Sequence, residues 1–466
     1  MAMGKGVMKR LLVRSGFVLL GLFVVAAALW GASRLRGPSA EQRHALELMQ
    51  AEPELPGSNA FPALWLLEWD VPEQAQAAIA ERDAARFRSL PPPGDPARAA
   101  AVSGFQSVAV ESYPGLGDAL AREPASCGWR EGGCIEHVRA NRDAHARRLA
   151  QAERLVDRVD AVLAAHGHYR TVLPLAVDMP SPRLELLPLA ATRYALQFLD
   201  GETDLALANN CRALTGLRRL AGNSDTMLAT MYLAAGIEGH AGLMADMLAE
   251  LPPDHPLPAA CAAAIAPLRD DELGLCQAMR GEWRHGQSAM DFLDGAPEDG
   301  WAAGFVRGLL LDRDATAALA ATNLSWPCGE EASRALAMDL PMRPPESTAG
   351  LLRFECVANL TGCIFMDLAQ PAYAPYGLRM QDVRARIRLL RILEWMRARA
   401  SGGWTGPAEA LLAQLPEELQ APGRAVDIDP ATGRLRIELF DDLRQTHWSV
   451  PLPPALRPEG EGAAAP

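Results

Sequence analysis

The side chains able to do chemistry in this chain are few and scattered. His145 and Arg142 fall on the apolar face of a helical pattern that starts at Cys134. A histidine there serves as a ligand or base, or, as is more common, packs as an interface residue. His166 and His168 flank Gly167 just past Leu163, the last periodic residue. That spacing predicts a helix C-terminus, with Gly167 as the cap and the imidazoles against the last carbonyls. Ser224 lacks the glycine-flanked elbow of a catalytic serine and reads as an N-cap, and Ser288 after His285 is no stronger. The only lysines are Lys5 and Lys9, so no serine–lysine dyad exists further along. Asp427, Asp429 and Glu438 match positions one, three and twelve of a calcium loop. Pro430, Ala431 and the late Gly433 break that pattern, which instead predicts a hairpin turn. No phosphate-cradling glycine loop or zinc-protease helix is present.

Eight cysteines, the first at Cys127, fit an oxidising compartment. Cys127 and Cys134 flank a glycine-rich loop that can close on itself. Cys261 and Cys276 are the expected link between neighbouring helices. Cys356 and Cys363 would stand roughly 10 Å apart on a continuous helix, so a bridge requires Gly362 to break it. Cys211 and Cys328 lack a local partner. No cysteine or histidine cluster has ligand spacing, so neither a metal nor a cofactor is expected.

Two segments could bind rather than react. Arg379, Arg384, Arg386, Arg388, Arg391, Arg397 and Arg399 form the one basic run in a chain of net charge −12. Arg384, Arg388 and Arg391 share a helix face, where an anionic headgroup or cell-wall polymer could lie. The plain alternative is a solvated face paired with acids. Phe61, Trp65 and Trp69 form an aromatic segment able to dock on a membrane or partner, or to be buried in the core. The acidic balance argues against a nucleic-acid partner.

The elements that must position these residues are helical. Lys5, Lys9, Arg10 and Arg14 precede the uncharged residues 16–32, which predicts a cytoplasmic stretch 1–14 and a transmembrane anchor 15–33, with a signal cleaved near Ala26 and Ala28 as the alternative. With its arginine-for-lysine usage and abundant alanine and proline, the chain suggests a GC-rich bacterial origin. The body is then expected in the periplasm, on an inner-membrane anchor. Residues 34–170 hold a helix of some 30 residues after Cys134. Residues 171–400 read as stacked antiparallel helices of repeat-like character without a fixed period: 184–199, 204–221, 225–251, 270–293, 302–320 and 379–400. Residues 401–453 carry a short helix and a β-hairpin, with His447 to Val450 as a possible third strand. Residues 454–466 read as a disordered tail.

Several motifs together resemble an uncharacterised family of proteobacterial inner-membrane-anchored helical proteins. They are the anchor, Leu64-Trp65-Leu66-Leu67, the Cys127/Cys134 pair, His168-Tyr169-Arg170, the stretch from Leu217 to Thr226, and the closing hairpin. Ala421-Pro422-Gly423 departs from the usual run before the hairpin. The resemblance implies no activity and carries over no catalytic residues. The expectation is an all-α, membrane-anchored periplasmic binding or scaffolding protein with an envelope protein partner. A hydrolase acting on cell-wall or lipid substrates is the alternative. A deep pocket placing an Asp or Glu beside His145, Arg142 or the arginine run would favour the enzyme, and a flat, unlined groove the binding role.

Overall fold

Between Arg14 and Arg34 the chain carries neither charge nor proline, and in the computed structural model it lies within one helix, Met3–Arg34. The structure describes residues 3–93, 95–117, 126–127, 133–294, 301–345, 353–420, 423–443 and 445–457. The span Val13–Arg34 has a mean hydropathy of 2.1 and is long and apolar enough to cross a bilayer. Phe17 and Phe23 are each 70% exposed, so the body does not bury this helix. Its last turns are nonetheless fixed to the body. Trp30 Nε1 donates to the Leu309 carbonyl at 2.7 Å, Ser33 Oγ to the Phe354 carbonyl at 2.9 Å and Arg34 to the Leu311 carbonyl at 2.8 Å.

Beyond that foot, Ser39 opens helix Ala40–Gln50 through a capping box with Gln42. Thr203–Gly222 and Met227–Glu250 form an antiparallel pair. Leu217 abuts Gly236, while the Asn210 amide donates to the His240 carbonyl at 2.9 Å, so the pairings run in opposite directions. Helix Leu360–Ser401 packs on Met227–Glu250 and on Arg313–Leu324 and passes through the core. Met380, Val383, Ile387, Leu390, Leu393 and Met396 on it are all buried, as are Leu389 and Ile392 on other faces. A helix covered on nearly every side must be central rather than superficial.

The expected long helix after Cys134 is broken into Cys134–Ala140, Arg142–Gln151 and Glu153–Ala165. All three pieces pack on Pro188–Leu199, and the bends keep one apolar stripe against that single helix. Residues 270–293 divide into Asp270–Leu273 and Cys276–Asp294. Residues 302–320 divide into Trp301–Leu310 and Arg313–Leu324, the second capped by Asp312.

Two local expectations are corrected. Helix Glu153–Ala165 ends where expected, but its C-cap is His166 rather than Gly167, and His166–His168 is a strand paired in parallel with Ser58–Asn59. Gly167 there lies against the Pro56 carbonyl, where a Cβ would clash. Thr226, not Ser224, caps Met227–Glu250, accepting from Ala229 N at 3.2 Å. Ser224 instead bridges to Tyr169.

The disulfides are Cys127–Cys134, Cys211–Cys261, Cys276–Cys328 and Cys356–Cys363. Cys261 and Cys276 therefore do not bond each other. Helix Ala259–Ala264 lies on Thr203–Gly222, and Cys276–Asp294 meets the turn Trp326–Cys328, so each cysteine takes a distant partner. Cys356 reaches Cys363 because the long helix starts only at Leu360. The chain turns at Phe354–Val357, and Gly362 stays helical. These bonds fit an oxidising compartment.

A three-stranded antiparallel sheet, Val426–Ile428, Leu435–Glu438 and His447–Val450, follows helix Ala408–Leu412. At its first turn Asp429 accepts from Ala431 N at 3.0 Å and from Thr432 Oγ1 at 2.8 Å, and Gly433 has φ of +62°. Pro454–Leu456 forms a turn with Leu456 buried, which overturns disorder from residue 454. Residues 458–466 of the expected tail lie outside the described residues.

Candidate functional site

The arginine run lies on the central helix, and its charges are answered from within the fold. Arg384 pairs with Asp270 at 2.6 Å and bonds the Leu336 carbonyl. Arg388 pairs with Asp339 at 2.7 Å, and Arg386 with Glu238 at 3.1 Å. Arg397 donates to the carbonyls of Leu248 and Pro252, closing the end of Met227–Glu250. Arg391 is half-buried; burial and the neighbouring Arg388 disfavour its charge, while Glu418 and Glu394 favour it. Arg384 and Arg388 are thus internal cross-links rather than a surface for an anionic polymer.

The network continues into the C-terminal module. Arg424, with a fully buried side chain, lies between Asp382 at 2.7 Å and Asp339 at 3.3 Å, its guanidinium 3.5 Å from the centre of the Phe440 ring. Asp382 also accepts the backbone N–H groups of Phe440 and Asp441. One carboxylate on the central helix therefore fastens the strand ends. A cavity of about 50 Å³ borders Glu238, Arg379, Arg386 and Asp441, enough for a few waters.

Phe61 is fully buried, stacked on Trp65 at 6.1 Å and edge-on to Tyr169 at 5.7 Å. Trp65 Nε1 donates to the buried Asp83 at 2.8 Å, and half-buried Trp69 bridges to Gly115. Arg142 forms an exposed pair with Asp200. His145 is buried, and neither ring nitrogen has a hydrogen-bond partner among the described residues. Burial, then the charges of His137 and Arg148, hold it below the usual imidazole range, so it is neutral at pH 7. Ser288 donates to the His285 carbonyl, an ordinary helix contact.

A more open feature is a cleft of about 300 Å³ where Tyr169 and the segment after it face the start of Met227–Glu250 and the side of Cys276–Asp294. Leu175, Val177, Met179, Leu184 and Leu228 supply apolar walls. Val177 and Leu228 are 57% and 51% exposed. Gly281 makes the close approach possible, because a Cβ there would strike the Asp225 carbonyl. The polar members already serve the fold. Glu282 accepts from Met227 N at 2.9 Å and from the Tyr373 hydroxyl at 3.2 Å. Asp225, at the rear, accepts from Thr171 N and Oγ1, and burial raises its pKa. Burial and the Glu282 carboxylate push the Tyr373 hydroxyl up, so it remains a donor.

His285 lies three residues from Glu282, on the same helical face. Sequence reasoning met His285 only as a neighbour of Ser288 and missed the cleft. Its walls come from three separate segments, 169–184, 226–229 and 281–285, with no shared motif to betray them. Among the described residues no group of three or more histidine, cysteine or carboxylate side chains could hold a metal ion. No family model, curated protein or solved structure matches the chain.

Proposed function

We propose that the protein is a single-pass, membrane-anchored binding or scaffolding protein, its body exported to the periplasm and its cleft engaging an apolar segment of an envelope protein. The cleft carries this reading. Its walls are apolar and partly exposed, while Glu282 and Thr226 at its floor already cap a helix. Such a surface favours complementarity over turnover. The arginine run adds no anion site, since Arg384 and Arg388 are internally paired. The disulfides suit the exported side, and the basic residues before the apolar helix suit an N-terminus left in the cytoplasm.

The test is crosslinking in intact cells, recovery through a C-terminal tag and mass spectrometry, on the native chain and on Leu228→Glu/Val177→Glu. Both positions are exposed, so the charges enter without disturbing the core. One reproducible envelope protein, lost from the double variant, is expected. The same partner at the same yield from both chains would move the contact elsewhere; no partner from either would sink the binding role.

A further inference from the structure

Helix Trp301–Leu310 reads Trp-Ala-Ala-Gly-Phe-Val-Arg-Gly-Leu-Leu, with Arg307 its only charge. In water its apolar groups should turn inward, yet Phe305 is 63% and Val306 51% exposed. The first turns of the long helix repeat the pattern. Ile364 and Leu368, one turn apart, are 42% and 76% exposed, and Phe365 is exposed beside them. Leu35, Phe354 and Val357 join them at the foot. Among the described residues, eight of the sixteen exposed large apolar side chains outside the anchor thus fall on these few segments. Scattered exposed apolar residues mean little, but a concentration of this kind marks a contact surface.

The position of these segments says what covers them. The Leu309 carbonyl accepts from Trp30, the Phe354 carbonyl accepts from Ser33, and Ala358 N donates to Ser33 at 3.3 Å. The patch therefore lies beside the point where the apolar helix leaves the body, on segments that pack on that foot and on one another. Arg36, its guanidinium 5.9 Å from the centre of the Phe354 ring, and Arg307 place cations at the same border, as a headgroup layer favours.

We propose that Phe305, Val306, Ile364, Phe365 and Leu368 form a collar that enters the outer leaflet around the anchor, giving the body a second, monotopic hold on the bilayer. The occupant is lipid acyl chain, because the collar lies beside the foot of a helix that is itself apolar on every side. The inference rests on the anchor reading of Met3–Arg34.

The full chain is reconstituted in vesicles of phosphatidylethanolamine and phosphatidylglycerol containing a phospholipid with a diazirine at the acyl terminus, irradiated, digested and mapped by mass spectrometry. Lipid adducts are expected on residues 17–29, 304–310 and 364–368, with none on Val110 or Leu228, which are exposed elsewhere. In Phe305→Glu/Leu368→Glu the collar adducts should be lost and the anchor adducts kept. Adducts on the anchor alone would overturn the collar. Adducts on neither would overturn the anchor reading beneath it. Labelling of Val110 and Leu228 as strong as that of Phe305 would show that exposure alone decides, and would also overturn the proposal.

Discussion

Two of the disulfides offer a matched comparison. Cys211–Cys261 and Cys356–Cys363 are alike in burial, with all four residues at most 2% exposed, but they close spans of 50 and 7 residues. A cross-link restricts the unfolded chain by an entropy that grows with the logarithm of the loop. Applied to these spans, it gives about 4 kcal/mol for the long loop and about 2 kcal/mol for the short one. Replacing each pair with alanine removes similar buried sulfur. The difference of about 2 kcal/mol between the variants therefore isolates loop closure. The assay is urea unfolding of the full chain in detergent micelles, followed by tryptophan fluorescence. Cys211→Ala/Cys261→Ala should lower the midpoint further than Cys356→Ala/Cys363→Ala, at similar slope. A short-loop variant as costly as the long-loop one would refute the entropic reasoning and locate the value of both bridges in native packing. Unreduced peptide mapping should recover the four pairings named above.

Three further outcomes follow from buried charge. Asp246 accepts the backbone N–H groups of Gly133 and Cys134, completing a helix start that has no side-chain cap of its own, and burial pushes its pKa up to about 6. The native state then holds a proton that the unfolded chain has released, so stability falls as pH rises from about 4 to 6. Asp246→Asn should flatten that fall in urea titrations across the window. His240 is pulled down to about 4 by burial. The unfolded chain takes up the proton first, so stability should drop by up to about 3 kcal/mol as pH falls from about 6.5 towards 4. His240→Gln should remove most of that drop; an unchanged profile would assign the acid sensitivity elsewhere. Arg424→Met leaves Asp382 buried without its cation and Asp339 with Arg388 alone, and should cost about 3–5 kcal/mol, with faster proteolysis of residues 423–443. Adding Asp382→Asn should recover part of the loss.

What could be read from the residues was local. Ser39 and Gln42 complete a helix start within one turn, and the Asp429-to-Gly433 turn carries its own chemistry and appears as expected. The apolar run after Lys5 and Lys9 likewise marks a helix of membrane-spanning length. Other features depended on distant partners. Nothing near Arg388 points to Asp339, nor near Cys211 to Cys261, and a helix pattern alone does not separate a solvated arginine face from a buried one. His166 and His168 became a strand because residues 58–59 were there to pair with it. Residues 302–310 carry the apolar content of a core helix, yet in the fold Phe305 and Val306 face outward.

On the scaffolding role proposed above, the hydrogen-bonded foot changes how the body would meet a partner. Trp30, Ser33 and Arg34 leave no swivel between the membrane-length helix and the body. A leash would let the body sample a hemisphere; a mast presents one bearing and a fixed height. Encounters are then confined to a thin shell parallel to the helix foot. Within that shell, less rotational freedom remains to be lost on association, so weak contacts can suffice. Inserting a flexible glycine–serine segment after Arg36 would trade that fixed bearing for reach.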